Sequence, residues 1–249
     1  MKSKISRVGN IHSIETFGTV DGPGIRYTIF FQGCPLRCRY CHNRDTWSTE
    51  GGRQVTIEEL LEEIEKYRPF LESSGGGVTA TGGEPLLQAD FVNELFRELK
   101  ARGIHTALDT SGFITITPVL EELLEVTDLV MLDIKHIDEE KHKELTGVSN
   151  KRTLALAEYL SECNIRTWIR HVVLEGYFED DQSDHQLAEF ISTLSNVEKV
   201  ELLPYHSMGA FKWEELGLDY PLEGFDPPSA EKMKTIIEIF KSHGIEVSA

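Results

Sequence analysis

A chain of 249 residues, 40% of them hydrophobic, is long enough for a full core, and one α/β barrel uses a chain of this size. A formal charge of −17 and an isoelectric point near 4.9 repel a phosphate backbone, so nucleic acid is excluded from the expected partners. The longest apolar runs, 27–31 and 128–134, fall far short of the roughly 20 residues of a membrane span, and no apolar targeting segment follows the start MKSKISRVGN. The chain therefore reads as cytoplasmic, with no membrane partner.

The first β-rich run is 26–32. Directly after it, in GCPLRCRYCHNRDTW, come three of the four cysteines, as Cys34-x3-Cys38-x2-Cys41. In a cytoplasmic protein this usage favours metal binding or catalysis over a disulfide framework. The helix expected over 56–71 sets Ile57, Leu60, Leu61 and Ile64 on one face, and Thr56 and Glu59 have capping-box spacing. A strand over 78–82 runs into Thr81-Gly82-Gly83-Glu84-Pro85, followed by a helix over 88–102. A strand over 105–109 ends in Asp109-Thr110-Ser111-Gly112. The next helix, 118–126, starts at Thr117-Pro118, with proline at the first helical position. A strand over 128–134 carries Asp133 and leads to Lys135. The helix 151–163 holds Cys163 in its apolar pattern, which predicts a small buried side chain. A strand over 166–174 carries Arg170 and His171 and precedes a helix over 184–194. A strand over 199–203 runs into Pro204-Tyr205-His206. A helix over 230–242 and a short strand over 245–248 complete the chain.

The strand runs are continuous and apolar, as strands of a buried parallel sheet should be. Six β-then-α units predict a parallel sheet with right-handed crossovers, and either a doubly wound sheet or a curved, incomplete barrel fits. In both, the chemistry belongs at the carboxyl ends of the strands. The cysteine loop and four of the five polar stretches just named lie at or just after the ends of such runs, while Arg170 and His171 are carried within theirs.

A structural zinc site wants four ligands. Cys163 is far along the chain, and His42 is adjacent to Cys41 and poorly placed for the same ion. A [4Fe–4S] cluster on three thiolates leaves one iron open to a substrate or cofactor, and closely spaced thiolates hold such clusters.

The Cys-x3-Cys-x2-Cys spacing, with Tyr40 before the last cysteine, resembles the radical S-adenosylmethionine superfamily. Further stretches narrow the resemblance to the glycyl-radical-enzyme activases. They are Asp21-Gly22-Pro23-Gly24-Ile25-Arg26, Cys41-His42-Asn43, Gly75-Gly76-Gly77-Val78-Thr79, Gly82-Gly83-Glu84-Pro85, Leu108-Asp109-Thr110-Ser111-Gly112, Asp133-Ile134-Lys135 and Leu203-Pro204-Tyr205-His206. The resemblance runs from about residue 11 to the C-terminus. The chain has neither the cysteines nor the length for an added ferredoxin-like domain, which favours the pyruvate formate-lyase branch. One departure is Glu175, where the family pattern has proline.

The expected fold is then a single-domain incomplete (β/α)6 TIM-like barrel of parallel strands over 1–249, with 1–25 as an N-terminal extension and the cluster and cofactor at the carboxyl ends. The resemblance implies that Cys34, Cys38 and Cys41 hold a [4Fe–4S] cluster whose unique iron is chelated by S-adenosylmethionine. It implies that Tyr40, His42, Asn43, Gly82, Gly83, Glu84, Asp133, Lys135 and His206 surround that cofactor. Asp109, Thr110, Met131 (through its backbone carbonyl) and Asp133 match a monovalent-cation site. Asp21 and Arg170 match residues that receive the glycine loop of the partner, pyruvate formate-lyase. A flavodoxin- or ferredoxin-type reductant and a monomeric state are the further expectations. Two other classes are open to test: a radical enzyme with a small-molecule substrate, and a non-enzymatic electron carrier or zinc scaffold.

Overall fold

The computed structural model describes residues 8–178 and 181–248. They fall in two compact units, one of 8–34, 46–110 and 115–130, the other of 35–45, 111–114, 131–178 and 181–248.

In the first unit, β1 (Val8–Gly18) pairs antiparallel with both β2 (Arg26–Phe31) and β3 (Arg53–Thr56). From β2 the sheet is parallel, through β4 (Gly77–Gly82) to β5 (His105–Thr110). Tyr27, Ile29, Phe31, Val78 and Ala80 are buried against α1 (Ile57–Ser74) and α2 (Ala89–Ala101), which contribute Leu60, Ile64, Leu95, Phe96 and Leu99. Arg26 is fully buried. Its guanidinium donates to Thr79 Oγ1 at 2.8 Å and to the Val78 carbonyl at 2.6 Å, so a charge that desolvation would disfavour is hydrogen-bonded inside the sheet. That burial lowers its pKa to about 10.

Local signals in this unit act as expected. Thr56 caps α1 in a capping box with Glu59. Thr117 caps α3 (Pro118–Leu124), with Pro118 in its first turn. β1 and β3 have no counterpart in the sequence reading. The outer half of β1 alternates exposed Ser13, Glu15 and Phe17 with half-buried neighbours, so no continuous apolar run marks it.

β6 (Leu129–Asp133) is divided between the units after Val130. In the second unit, α4 (Glu139–Thr146) and α5 (Lys151–Glu162) precede β7 (Thr167–Val173). β7 pairs parallel with β8 (Val197–Pro204), and β8 with β9 (Val247–Ser248). α6 (Asp181–Ser192), α7 (Ala210–Glu215) and α8 (Ala230–Ser242) complete it. Ile169, Val173 and Leu202 are buried, as are Leu187, Ile191, Ile236 and Phe240 of the helices.

β7 alternates strictly: Thr167, Ile169, His171 and Val173 are buried, and Trp168, Arg170 and Val172 are half-exposed. The expected continuous apolar strand is therefore one-sided here. Glu175, the departure from the family pattern, accepts the Ser229 amide at 2.6 Å and so holds the N-cap of α8. α4 escapes the sequence reading because it buries only His142, Leu145 and Thr146, too few apolar positions for a period.

Cys163 corrects an expectation. α5 ends at Glu162, Cys163 is its C-cap, and the side chain is exposed rather than buried in the helix. The last buried positions of the pattern are Leu156, Ala157 and Leu160, and the chain leaves the helix at Cys163 and turns at Asn164, at φ 51°.

β3 and β9 are the edge strands of the sheet, so the fold is α/β with a mostly parallel, unclosed sheet. Among the described residues no helix is long and apolar enough to cross a membrane.

Candidate functional site

In the first unit, the chain leaves β2 through Gly33 and Cys34. Gly33 N donates to Thr46 O at 2.7 Å and Cys34 N to Trp47 O at 3.3 Å, closing the cysteine loop at its base. The Gly82-Gly83-Glu84 stretch continues the pairing of β4 with this segment. Gly83 N donates to Phe31 O at 2.9 Å and Glu84 N to Gly33 O at 2.8 Å. The glycines are required by this approach. A Cβ on Gly83 would lie 2.2 Å from the Gly33 carbonyl oxygen, and one on Gly82, at φ 110°, would lie 2.4 Å from Phe31 N.

Glu84 is 1% exposed, and its Oε1 accepts the Leu86 amide at 3.1 Å and the Thr110 hydroxyl at 2.7 Å. Glu84, one of the residues expected around the cofactor, thus caps the 3-10 turn Pro85–Gln88 and is tied to the end of β5. Beside it, the Thr81 hydroxyl donates to Asp109 Oδ2 at 2.6 Å. Asp109 and Thr110 therefore sit at the carboxyl end of β5, each engaged by the β4 side. Asp21 lies at the other end of β2. Its Oδ2 accepts from Thr28 at 3.3 Å and its carbonyl from Thr79 at 2.7 Å.

In the second unit the cysteine loop is pinned to the end of α4. Arg37 N donates to Thr146 O at 2.7 Å and Arg39 N to Leu145 O at 3.0 Å, using helix C-terminal carbonyls that need partners. A turn from Cys41 N to Cys38 O, at 3.1 Å, brings the backbone of these two cysteines together. Among the described residues no cysteine forms a disulfide.

Asp133, the last residue of β6, and Lys135, two residues on, meet at 2.8 Å, and the Lys135 ammonium lies 5.7 Å from the centre of the Tyr40 ring. Burial works to lower the Lys135 pKa, but Asp133, Tyr40 and Cys38 outweigh it and hold the ammonium well above its usual range. Burial pushes the Tyr40 phenol up. The rings of His42 and His206 are 4.4 Å apart, and His42 Nε2 donates to the His206 carbonyl at 3.0 Å. Burial lowers the His42 pKa. Tyr40 Oη and His206 Nδ1 are buried with no hydrogen-bond partner, a costly state for polar atoms unless a ligand completes it. Asn43 Oδ1 accepts from Lys212 at 3.4 Å. Met131 is fully buried in β6. Arg170 stands in mid-strand on β7, where its Nε is 3.4 Å from Glu201 Oε2 on the register partner of β8.

Lys212, Trp213, Gly209 and Glu201 escape the sequence reading. They act through partners distant in sequence: Trp213 Nε1 donates to the Cys41 carbonyl across 172 residues, at 3.1 Å. Thr81 was legible as part of the Thr-Gly-Gly-Glu-Pro stretch.

His136, beside this set, is 7% exposed, and its Nδ1 accepts the Asp138 amide at 3.0 Å. Burial first, then His171 and Lys141, lower its pKa from 6.5 to about 4. Folding therefore favours neutral His136. That contribution is fully present above about 6.5 and is lost as pH falls toward about 4. Across this window the wild type should lose up to about 3 kcal/mol relative to His136→Gln, which keeps an acceptor for Asp138. Urea unfolding of both proteins through the window checks this, and parallel stability curves would refute it.

Comparison with known proteins gives one family, two relatives and two solved structures. The family model described as the radical SAM superfamily matches residues 28–188. The pyruvate formate-lyase 1-activating enzyme of Escherichia coli (strain K12) is 55% identical over 98% of this chain and 99% of its own length. The pyruvate formate-lyase-activating enzyme of Staphylococcus epidermidis is 52% identical over 91% of this chain and 92% of its own. Among solved structures, a domain of pyruvate-formate lyase-activating enzyme from Bacteroides vulgatus aligns with a TM-score of 0.59 at 27% identity, over 70% of this chain and 98% of that one. Streptococcus suis SuiB bound to S-adenosylmethionine aligns with a TM-score of 0.65 at 17% identity, over 86% of this chain and 47% of that one, a likeness of fold alone.

Proposed function

The chain belongs to the radical S-adenosylmethionine superfamily, among the pyruvate formate-lyase-activating enzymes, and we propose that it activates pyruvate formate-lyase under anaerobic conditions by generating a glycyl radical on it. The observation that carries this reading is near-full-length identity to relatives that bear that activity in their names.

The residues present fit the cofactors the family uses. Cys34, Cys38 and Cys41 are the cluster ligands in this reading, supplied by a loop tied down at its base and at the α4 end. Tyr40 Oη and His206 Nδ1 are buried polar atoms without partners, suited to a polar cofactor such as S-adenosylmethionine. When bound, the [4Fe–4S] cluster and S-adenosylmethionine supply one electron and a 5′-deoxyadenosyl radical that removes a hydrogen atom from the glycine Cα.

The chain's own residues bind and orient. Lys135, held protonated beside Asp133, offers a fixed positive charge to the cofactor carboxylate. The Gly82-Gly83 backbone, with no side chains in the way, receives the methionine amino group, and Glu84 keeps that turn in shape through Leu86 and Thr110. His42, Asn43 and His206 line the cofactor on the cysteine-loop side. Asp109, Thr110, the Met131 carbonyl and Asp133 offer oxygen ligands for a monovalent cation. Arg170 and Asp21 receive the glycine loop of the partner, with Glu201 holding Arg170 until it does. The reductant is a flavodoxin- or ferredoxin-type protein, and the chain acts in the cytoplasm as a monomer.

The test is anaerobic reconstitution with iron and sulfide, then electron paramagnetic resonance with S-adenosylmethionine and pyruvate formate-lyase. A glycyl radical on the partner supports the reading. Zinc without iron, or cofactor cleavage with no radical on the partner, overturns it.

The division of labour has its own test. Arg170→Ala should weaken radical formation roughly 10- to 150-fold, the loss of one charge-assisted contact, while the reduced cluster still binds cofactor. Glu84→Ala, which removes the acceptor of both the Leu86 and Thr110 bonds, should instead impair cofactor binding with or without a peptide copying the glycine loop. If Arg170→Ala loses cofactor affinity as badly, Arg170 belongs to the cofactor side.

A further inference from the structure

We propose that the segment 205–220 is a strap that sets the position of the cluster loop from outside, with Trp213 as its main positioning residue. The inference rests on the reading that Cys41 is a cluster ligand.

Five consecutive residues of the loop touch the strap. The Cys41 carbonyl accepts from Trp213 Nε1 at 3.1 Å. His42 donates to the His206 carbonyl at 3.0 Å, and its Cα lies only 2.6 Å from where a Cβ on Gly209 would stand. Asn43 accepts from Lys212 at 3.4 Å, and Asp45 Oδ2 pairs with the same ammonium at 3.0 Å. Between them the Arg44 guanidinium lies 5.3 Å from the centre of the Trp213 ring.

The strap is itself braced. Tyr220 meets Trp213 edge-on at 5.8 Å, and its hydroxyl is 2.9 Å from that of Tyr205. α7 turns one side to the loop: Trp213 is 5% exposed, while Phe211 on the other side is 52% exposed. Six residues are too few for a helix to stand on its own, so α7 exists because of these contacts.

The arrangement has a chemical consequence. His206, a cofactor residue in the proposed function, begins the strap, and Trp213 seven residues on holds the carbonyl of a cluster cysteine. One rigid piece thus fixes two groups that must keep their spacing while cofactor binds, the preorganisation a site of this kind needs. The glycine at 209 follows from the same closeness, since any side chain there would push the strap off His42.

The test uses the full chain in two arms. In the metal-free protein, Trp213→Phe keeps an aromatic ring but removes the donor. Amide hydrogen exchange over 41–45 should quicken roughly 2- to 12-fold, as for the loss of one hydrogen bond. Phe211→Ala, on the outer side of α7, is the control and should exchange as wild type. In the reconstituted protein, Trp213→Phe should bind the same iron but release it faster to a chelator. The change that S-adenosylmethionine makes in its reduced-cluster electron paramagnetic resonance spectrum should also differ from the change shared by wild type and Phe211→Ala. Lys212→Met, which removes the link to Asn43 and Asp45, should shift the same readouts if Trp213→Phe does not fold. Wild-type exchange and spectra in both strap variants would overturn the proposal, as would equal loosening in Phe211→Ala. A wild type that takes up no iron–sulfur cluster overturns the activase reading instead, whatever the exchange arm shows.

Discussion

Replacing Cys34, Cys38 or Cys41 singly by Ala should abolish glycyl-radical formation and leave a folded, iron-depleted protein. A cluster on three thiolates loses its anchorage with any one of them, and the chemistry belongs to the cofactor, so no partial activity is expected. The fold should survive because the loop is held by backbone bonds that these side chains do not make: Gly33 to Thr46, Arg37 to Thr146, Arg39 to Leu145 and Cys41 to Cys38. Cys163→Ala is the contrast. Its side chain is exposed at the C-cap of α5, so the change should alter stability by no more than about 0.5 kcal/mol and leave iron content intact. Iron and sulfide analysis beside circular dichroism measures both effects. Full iron content in a Cys38→Ala protein, or its loss in Cys163→Ala, would sink the ligand assignment.

The second large effect is expected at Gly83. Gly83→Ala puts a methyl 2.2 Å from the Gly33 carbonyl oxygen and 2.8 Å from its carbon, closer than real side chains approach backbone. Neither partner can yield alone, because Gly33 N is bonded to Thr46 O and Glu84 N to Gly33 O. The clash should cost about 3 kcal/mol, the upper part of the overpacking range. It should also displace the start of the cysteine loop together with the cofactor stretch, so cofactor affinity and cluster retention should fall together. Gly75→Ala separates sterics from backbone strain. Gly75 has φ 67° with nothing within 4 Å of a Cβ, so only the left-handed conformation opposes the alanine, at roughly 1–2 kcal/mol. Chemical denaturation of the two variants and cofactor titration decide. Equal cofactor affinity in both would mean that the Gly83 approach does not position the site.

Local chemistry made much of this protein legible. The Thr56–Glu59 capping box, the Thr117-Pro118 start and the helix over 230–242 depend on neighbours a few residues apart, and they stand where the sequence places them. The strands β2, β4, β5 and β6 were readable because burial on both faces forces a continuous apolar run. The polar stretches after them follow, since a parallel sheet delivers its strand ends to one side. The cysteine spacing carried the chemistry for the same reason: ligands of one cluster supplied by one loop must be close in sequence.

What the tertiary structure decided has the opposite character. β1 and β3 form because another strand offers an edge, not because their own pattern demands it. The Thr110 hydroxyl that Glu84 accepts comes from the end of another strand, 26 residues along the chain. Arg170 has Glu201 opposite it only because β8 pairs with β7 in that register. Cys163 fits an apolar period that ends one turn too early to bury it. The strap around Trp213 has no local signal, because a six-residue helix is too short to show a period and its partner is 172 residues away. A residue's period and caps are set by its neighbours in the chain, whereas the partner that satisfies a buried polar atom is set by which segments the fold brings within 3 Å of it.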